Sequence, residues 1–235
     1  MSSPLVSVII PTHRRPLLLE RALRSIKIQQ SSESVEVIVV SDVLDLETDT
    51  VCANLLEAND IYLRRSGPPG PSTSRNLALN LASGRHVIFL DDDDAWQPNM
   101  LQQLLKIKHL QQGLAIYGNC EVFTERRSAS GPQILSRSSL SLNDVLNDFL
   151  YVKNQVHMSC YVLPRDIIGV TRFDPYMKAY EDWEFLLHIY KKQAALHVPF
   201  SISAVFQVDD STTDRRGSAV TASGHHAILD YLYVY

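Results

Sequence analysis

No apolar run in this 235-residue chain approaches the roughly 20 residues that a membrane-spanning helix needs. Nor is there an export signal to read: Met1-Ser2-Ser3-Pro4 leads straight into a strand-like stretch, without a basic region and an apolar core. Cysteine is scarce. Cys52, Cys120 and Cys160 are odd in number and far apart, which excludes a disulfide framework and reads as reduced core thiols of a cytoplasmic protein. Basic excess is missing too, since the formal net charge is -4; a nucleic acid partner is not expected, and any anionic ligand has to be held by local groups. Repeats, low-complexity tracts and linkers are absent, so the chain is expected to be one domain near the size at which a single core stops growing.

What is present is alternation. Leu5-Val6-Ser7-Val8-Ile9-Ile10 and Val35-Glu36-Val37-Ile38-Val39-Val40 read as strands, and Leu19, Ala22, Leu23 and Ile26 between them recur at helical spacing. A helix over 48–58, a strand Ile61-Tyr62-Leu63, a helix over 72–82 and the strand His86-Val87-Ile88-Phe89-Leu90 continue the series. Strand and helix in strict turn imply a mostly parallel, Rossmann-like sheet flanked by helices. Past it, a helix over 98–112, a strand over 114–123, a mobile polar loop over 125–139, a short helix over 142–150, a strand over 158–163, a helix over 182–192 and one or two strands over 196–208 make a smaller, mixed region. Its tail, 225–235, is open to two readings, a core-packing helix or an amphipathic contact with a membrane.

Parallel sheets bind ligands at the carboxyl ends of their strands, and five clusters fall there. Pro11-Thr12-His13-Arg14-Arg15 follows the first strand, Ser41-Asp42 the second, and Ser74-Arg75-Asn76 opens a helix behind a loop rich in Gly and Pro. Asp42 can accept from a base or ribose. Arg75 beside helix N–H groups suits a diphosphate. The fourth cluster is Leu90-Asp91-Asp92-Asp93-Asp94-Ala95-Trp96-Gln97-Pro98, whose carboxylates leave a buried strand together and need a cation to stay ionised, for which a hard divalent metal is the usual answer. An EF-hand is excluded, because Trp96 and Gln102 stand where its Gly and Glu would be. Tyr180-Glu181-Asp182-Trp183-Glu184 is the fifth, at a helix start that favours acids on structural grounds alone.

In this order and spacing the clusters resemble the family 2 glycosyltransferases of GT-A fold over about residues 5 to 210. The resemblance implies one α/β domain of GT-A type, with residues 1–98 binding a nucleotide sugar and 99–235 the acceptor. By it, Pro11 and Thr12 line the donor, Asp42 meets the base, Arg75 the base or diphosphate, Asp91 and Asp93 are the ends of the family's D-x-D motif with Asp93 on an Mn²⁺ or Mg²⁺ ion, Asp92 lies near the ribose or metal, and Asp182 is the base of an inverting transfer. It further implies a UDP-sugar donor, a saccharide or lipid-linked saccharide acceptor and a cytoplasmic location with room for contact at the membrane's inner face. Arg215 and Arg216 are candidates for a loop closing over the diphosphate. One departure is plain: the second strand ends in Ser41-Asp42-Val43-Leu44, where the family commonly has two acids and Gly-Ser. A catalytically inactive nucleotide-sugar-binding relative is the alternative. A sugar-nucleotide pyrophosphorylase is discounted, since no Gly-rich basic loop follows the first strand.

Overall fold

The computed structural model describes residues 3–30, 34–128 and 131–209. Arg215, Arg216 and the segment 225–235 lie outside the described residues.

The expected alternation forms the first half: β1 (Val6–Thr12), α1 (Pro16–Lys27), β2 (Val35–Ser41), α2 (Leu46–Leu55), β3 (Ile61–Arg64), α3 (Pro71–Leu81) and β4 (His86–Phe89). β1 lies between β2 and β4 and is parallel to both, and β3 extends the sheet beyond β2. The two-residue period of β1 divides its side chains between two layers. Val8 and Ile10 pack with Leu19, Ala22 and Leu23 of α1, whereas Ile9 packs with Ala78 and Leu79 of α3. Both faces of the sheet are therefore covered, which is why these strands are apolar throughout.

The second half is mixed. β5 (Ala95–Trp96), α4 (Met100–Leu105), α5 (Lys108–Gln111), β6 (Ile116–Ser128), β7 (Gly131–Leu140), β8 (Tyr161–Pro164), α6 (Arg165–Ile168), α7 (Glu181–Lys192) and β9 (Leu196–Val208) complete the described elements. The strand order is β3-β2-β1-β4-β8-β6-β9-β5, with β7 paired to β6. β8 runs antiparallel to both β4 and β6. It is the point where the parallel half changes direction.

Several expected elements differ. The polar stretch 125–139 is no loop, because β6 and β7 form a hairpin across it; its charged side chains are paired within and beyond the hairpin, Arg137 with Glu121 and Glu125 with Arg21. The helix over 98–112 is broken at the extended Ile107 into α4 and α5. In place of a helix over 142–150, Asp144 takes a left-handed turn and only a 3₁₀ turn, Asp148–Tyr151, follows, consistent with the turn preference of Asn143-Asp144. Residues Met158–Cys160 are likewise a 3₁₀ turn before β8.

Three phenylalanines join the halves. Phe173 and Phe185 stack at 4.0 Å between ring centroids, and Phe89, at the end of β4, meets them edge-on at 5.1 and 5.6 Å. All three are buried, so α7 is seated against the strand that delivers the four aspartates. Phe185→Ala should therefore lower unfolding free energy by about 3–5 kcal/mol in urea titration; a loss under about 1 kcal/mol would mean that α7 is held by other contacts.

Candidate active site

The acidic run forms a tight turn, closed by Asp94 N–H donating to Asp91 O at 3.0 Å. It sends its four carboxylates in four directions. Asp91 accepts from Arg75 at 2.7 Å. Asp92, 2% exposed, turns back to Thr12, whose hydroxyl donates at 2.8 Å. Asp93 faces outward to Arg15 at 3.1 Å and Arg127 at 3.0 Å. Asp94, 1% exposed, goes inward, accepting from Ser159 Oγ at 2.8 Å and from the N–H of Phe206 at 3.1 Å.

Asp91 and Asp94 share their space with His157, and the ligand-type atoms of the three lie within 4.8 Å of one another. His157 Nδ1 stands 3.1 Å from Ser159 Oγ and 3.4 Å from Asp94 Oδ2. Burial pushes the Asp94 carboxyl up to about 7. The His157 side chain is 43% exposed; desolvation of its buried edge pulls the imidazole the other way, but Asp94 and Asp91 outweigh it and the net shift is upward. Two carboxylate oxygens and an imidazole nitrogen fit a divalent cation of the Mn²⁺ type, which takes oxygen ligands readily and accepts nitrogen.

Arg75 ties this group to the second half. Its guanidinium is buried, 2.7 Å from Asp91 and 3.0 Å from Glu181 at the start of α7, and lies over the Phe173 ring at 5.2 Å. Burial opposes its charge, yet Asp91 and Glu181 prevail and hold the proton more firmly than usual. Its Nε has no partner among the described residues. Asn76 beside it is a structural tie, bonding both the N–H and the carbonyl of Phe173.

α7 begins after Tyr180, which sits in the left-handed region at φ 61°, a costly backbone for a residue with a bulky side chain. Asp182 accepts from the N–H of Trp183 at 2.8 Å, and its charge is felt at both Arg75 and His157. Glu181 is raised, chiefly by burial and then by Asp182, with Arg75 acting against both.

At the far end of the edge, Asp42 follows β2. One oxygen meets His13 Nδ1 at 2.5 Å. The other accepts from Gly70 N–H at 2.7 Å and lies 3.6 Å from Arg65. Gly70, at φ 151°, has a backbone that suits glycine, so the loop can bring its N–H to Asp42.

The structure thus brings Pro11, Thr12, Asp42, Arg75, Asp91, Asp92, Asp93 and Asp182 to one edge of the sheet, where Asp91 and Asp94, with His157, are the residues whose ligand-type atoms gather within 4.8 Å. The sequence reading missed His157, Arg127 and Glu125, and gave Asp94 no role of its own. A lone His between Val156 and Met158 carries no signal; the antiparallel course of β8 is what puts it there. Cys52, Cys120 and Cys160 are buried free thiols, as expected.

A mixed sheet, parallel in its first half, with an acidic turn, a buried arginine and a carboxylate-led helix at the carboxyl ends of its parallel strands defines an α/β protein whose candidate site is built on charge. Residues 7–167 match the family model described as glycosyl transferase family 2, and the chain belongs to that family. It is 30% identical over 217 residues to the GalNAc(5)-diNAcBac-PP-undecaprenol beta-1,3-glucosyltransferase of Campylobacter jejuni, over 89% of this chain and 67% of that one. An uncharacterized glycosyltransferase of Haemophilus influenzae is 27% identical over 84% of this chain and 77% of its own. The fold is similar to that of S. aureus TarS 1-349 in complex with UDP-GlcNAc, with TM-score 0.62 and 19% identity over 89% of this chain and 61% of that chain. It is also similar to that of the mannosyltransferase PcManGT from Pyrobaculum calidifontis in complex with GDP-Man and Mn²⁺, with TM-score 0.63 and 18% identity over 97% of this chain and 63% of that chain. This chain spans less than two thirds of either solved chain, and likeness at these identities shows the fold, which is the GT-A type expected from the sequence.

Replacing Arg75 by Met keeps an apolar stem but removes the buried charge that Asp91 and Glu181 share. Arg75→Met should cost about 3–5 kcal/mol of unfolding free energy, as breaking buried ion pairs does, measured by chemical denaturation in the absence of metal and nucleotide.

Proposed function

We propose that this protein is an inverting glycosyltransferase that moves a sugar from a nucleoside diphosphate donor, a UDP-sugar, to a hydroxyl of a lipid-linked saccharide. The observation that carries the reading is the Asp91, Asp94 and His157 group, whose ligand-type atoms lie within 4.8 Å of one another and which Arg75 links to the start of α7. Support for the donor comes from the UDP-GlcNAc complex of the similar S. aureus protein. Support for the acceptor comes from the Campylobacter jejuni relative, named for an undecaprenol-linked substrate. Among the described residues no helix is long and apolar enough to cross a membrane, so a lipid-linked acceptor would be met at a membrane surface.

Asp91, Asp94 and His157 would hold Mn²⁺, or Mg²⁺ with less help from the imidazole. A bound divalent cation neutralises charge developing on the leaving diphosphate, so no protein acid has to protonate it. Thr12 and Asp92, already bonded to each other, would border the ribose. Asp42 would face the base, with its carboxylate held by His13, Gly70 and Arg65. Asp182 is the base of this scheme. As the acceptor oxygen forms its bond to the anomeric carbon, its proton passes to the Asp182 carboxylate. The bond from that carbon to the diphosphate oxygen breaks on the opposite face, its electron pair leaves with the nucleoside diphosphate, and configuration inverts. Glu181, paired to Arg75, orients rather than reacts.

The test is release of nucleoside diphosphate from a panel of nucleotide sugars with lipid-linked saccharide acceptors, with and without Mn²⁺. Asp182→Asn should lower kcat by about 10²–10⁴ while donor affinity, read by calorimetry, is retained. Asp94→Ala and His157→Ala should each remove the response to metal. Turnover unchanged in Asp182→Asn would take that residue out of the chemistry.

A further inference from the structure

Exposed aromatic rings are few in this protein, and they are gathered in one region. Among the described residues the exposed aromatic side chains are Tyr151, Tyr176 and Tyr180, at 41%, 87% and 40%. All three stand on the two segments that flank the start of α7. Tyr151 and Tyr180 are further drawn together by Trp183, which is 2% exposed and packs with Leu150 and Leu187. Its indole N–H donates to the carbonyl of Leu150, the neighbour of Tyr151, at 2.7 Å, and its ring meets Tyr180 in a T-shaped contact at 6.1 Å between centroids. Tyr151 makes a similar contact with Tyr190 at 6.2 Å. Rings held in this way are exposed yet fixed, so a ligand that covers them orders little that was free.

Tyr180 is kept there against the preference of its backbone. The other non-glycine residues with positive φ among those described are Arg14, Asn99 and Asp144; Asn and Asp tolerate that conformation, whereas a bulky tyrosine at φ 61° is strained. A ring left 40% exposed returns little burial for the strain. The position is informative, because Tyr180 precedes Asp182 by two residues at the turn that starts α7. The C–H bonds on one face of a pyranose carry slight positive charge and the face of an aromatic ring is negative, so a tyrosine can stack on a sugar without needing a charged partner. We propose that Tyr180, bordered by Tyr151, is the platform on which the acceptor's terminal sugar stacks, presenting its hydroxyl to Asp182. This inference rests on the reading of Asp182 as the base of the transfer. Tyrosines also favour a membrane interface, so the acceptor has to be supplied both with and without a bilayer.

Initial rates of the full chain are compared for the same sugar in two forms, on undecaprenyl diphosphate in vesicles and on a short, water-soluble prenyl diphosphate, with N-acetylglucosamine and N-acetylgalactosamine as the sugars. Three variants separate ring from backbone. Tyr180→Phe keeps the ring and the strain, Tyr180→Leu keeps bulk and strain without the ring, and Tyr180→Gly removes both. Tyr180→Leu and Tyr180→Gly should each raise the acceptor KM by about tenfold in both forms, with kcat changed by less than about threefold and the donor Kd, read by calorimetry, retained. Tyr180→Phe should stay within about twofold of wild type in KM. A rise confined to the vesicle-borne acceptor makes Tyr180 a membrane contact and overturns the inference. Loss of kcat at unchanged KM makes the residue a support for α7 and overturns it too. Wild-type protein that releases no nucleoside diphosphate with either form, from any donor of the panel, overturns the transferase reading and this inference with it; turnover whose acceptor KM survives Tyr180→Leu and Tyr180→Gly overturns this inference alone.

Discussion

Four carboxylates at the end of one buried strand repel one another, and the arrangement around them follows from that repulsion. At about 4 Å each pair costs roughly 4 kcal/mol in surroundings typical of a protein surface. The protein answers by giving each aspartate a different neighbour. Thr12 receives Asp92, Arg75 receives Asp91, Arg15 and Arg127 receive Asp93, and Ser159 with His157 receives Asp94. These partners come from β1, α3, the residue before α1, β6 and the segment before β8. Satisfying one turn therefore draws much of the fold to a single edge.

The same requirement links the two halves of the chain. Arg75 is buried between an aspartate of the turn and a glutamate of α7, and the stacked Phe173 and Phe185 hold that helix against Phe89 at the end of β4. Charge and packing act on the same pair of elements. The acidic turn and the carboxylates that open α7 are thereby held in one frame, which is the alignment that the proposed transfer would need.

The parallel half was legible because its signals are local. Apolar runs of six residues and helical spacing at Leu19, Ala22, Leu23 and Ile26 are decided by burial on neighbouring layers, and β1, α1, β2 and β4 formed where expected. The hairpin β6–β7 was not legible. A stretch such as Glu125-Arg126-Arg127 reads as loop when polarity is taken for exposure, yet Glu125 is fully buried, its charge met by Arg21 and Arg127. The Asp91, Asp94 and His157 group shows the same limit. Asp91 was visible in the acidic run, but His157 lies 63 positions beyond Asp94 in the numbering and meets it only because β8 runs back along β4.

By itself the sequence determined the α/β alternation, the edge at which polar side chains gather, and the ordered set Asp42, Arg75, Asp91 and Asp182, because residue type and period act over a few neighbours. Which partner each of four adjacent aspartates meets was decided by tertiary structure alone. Identical side chains in consecutive positions carry no local difference. What distinguishes Asp93 from Asp94 is that one faces two arginines and the other a histidine and a serine brought from distant strands.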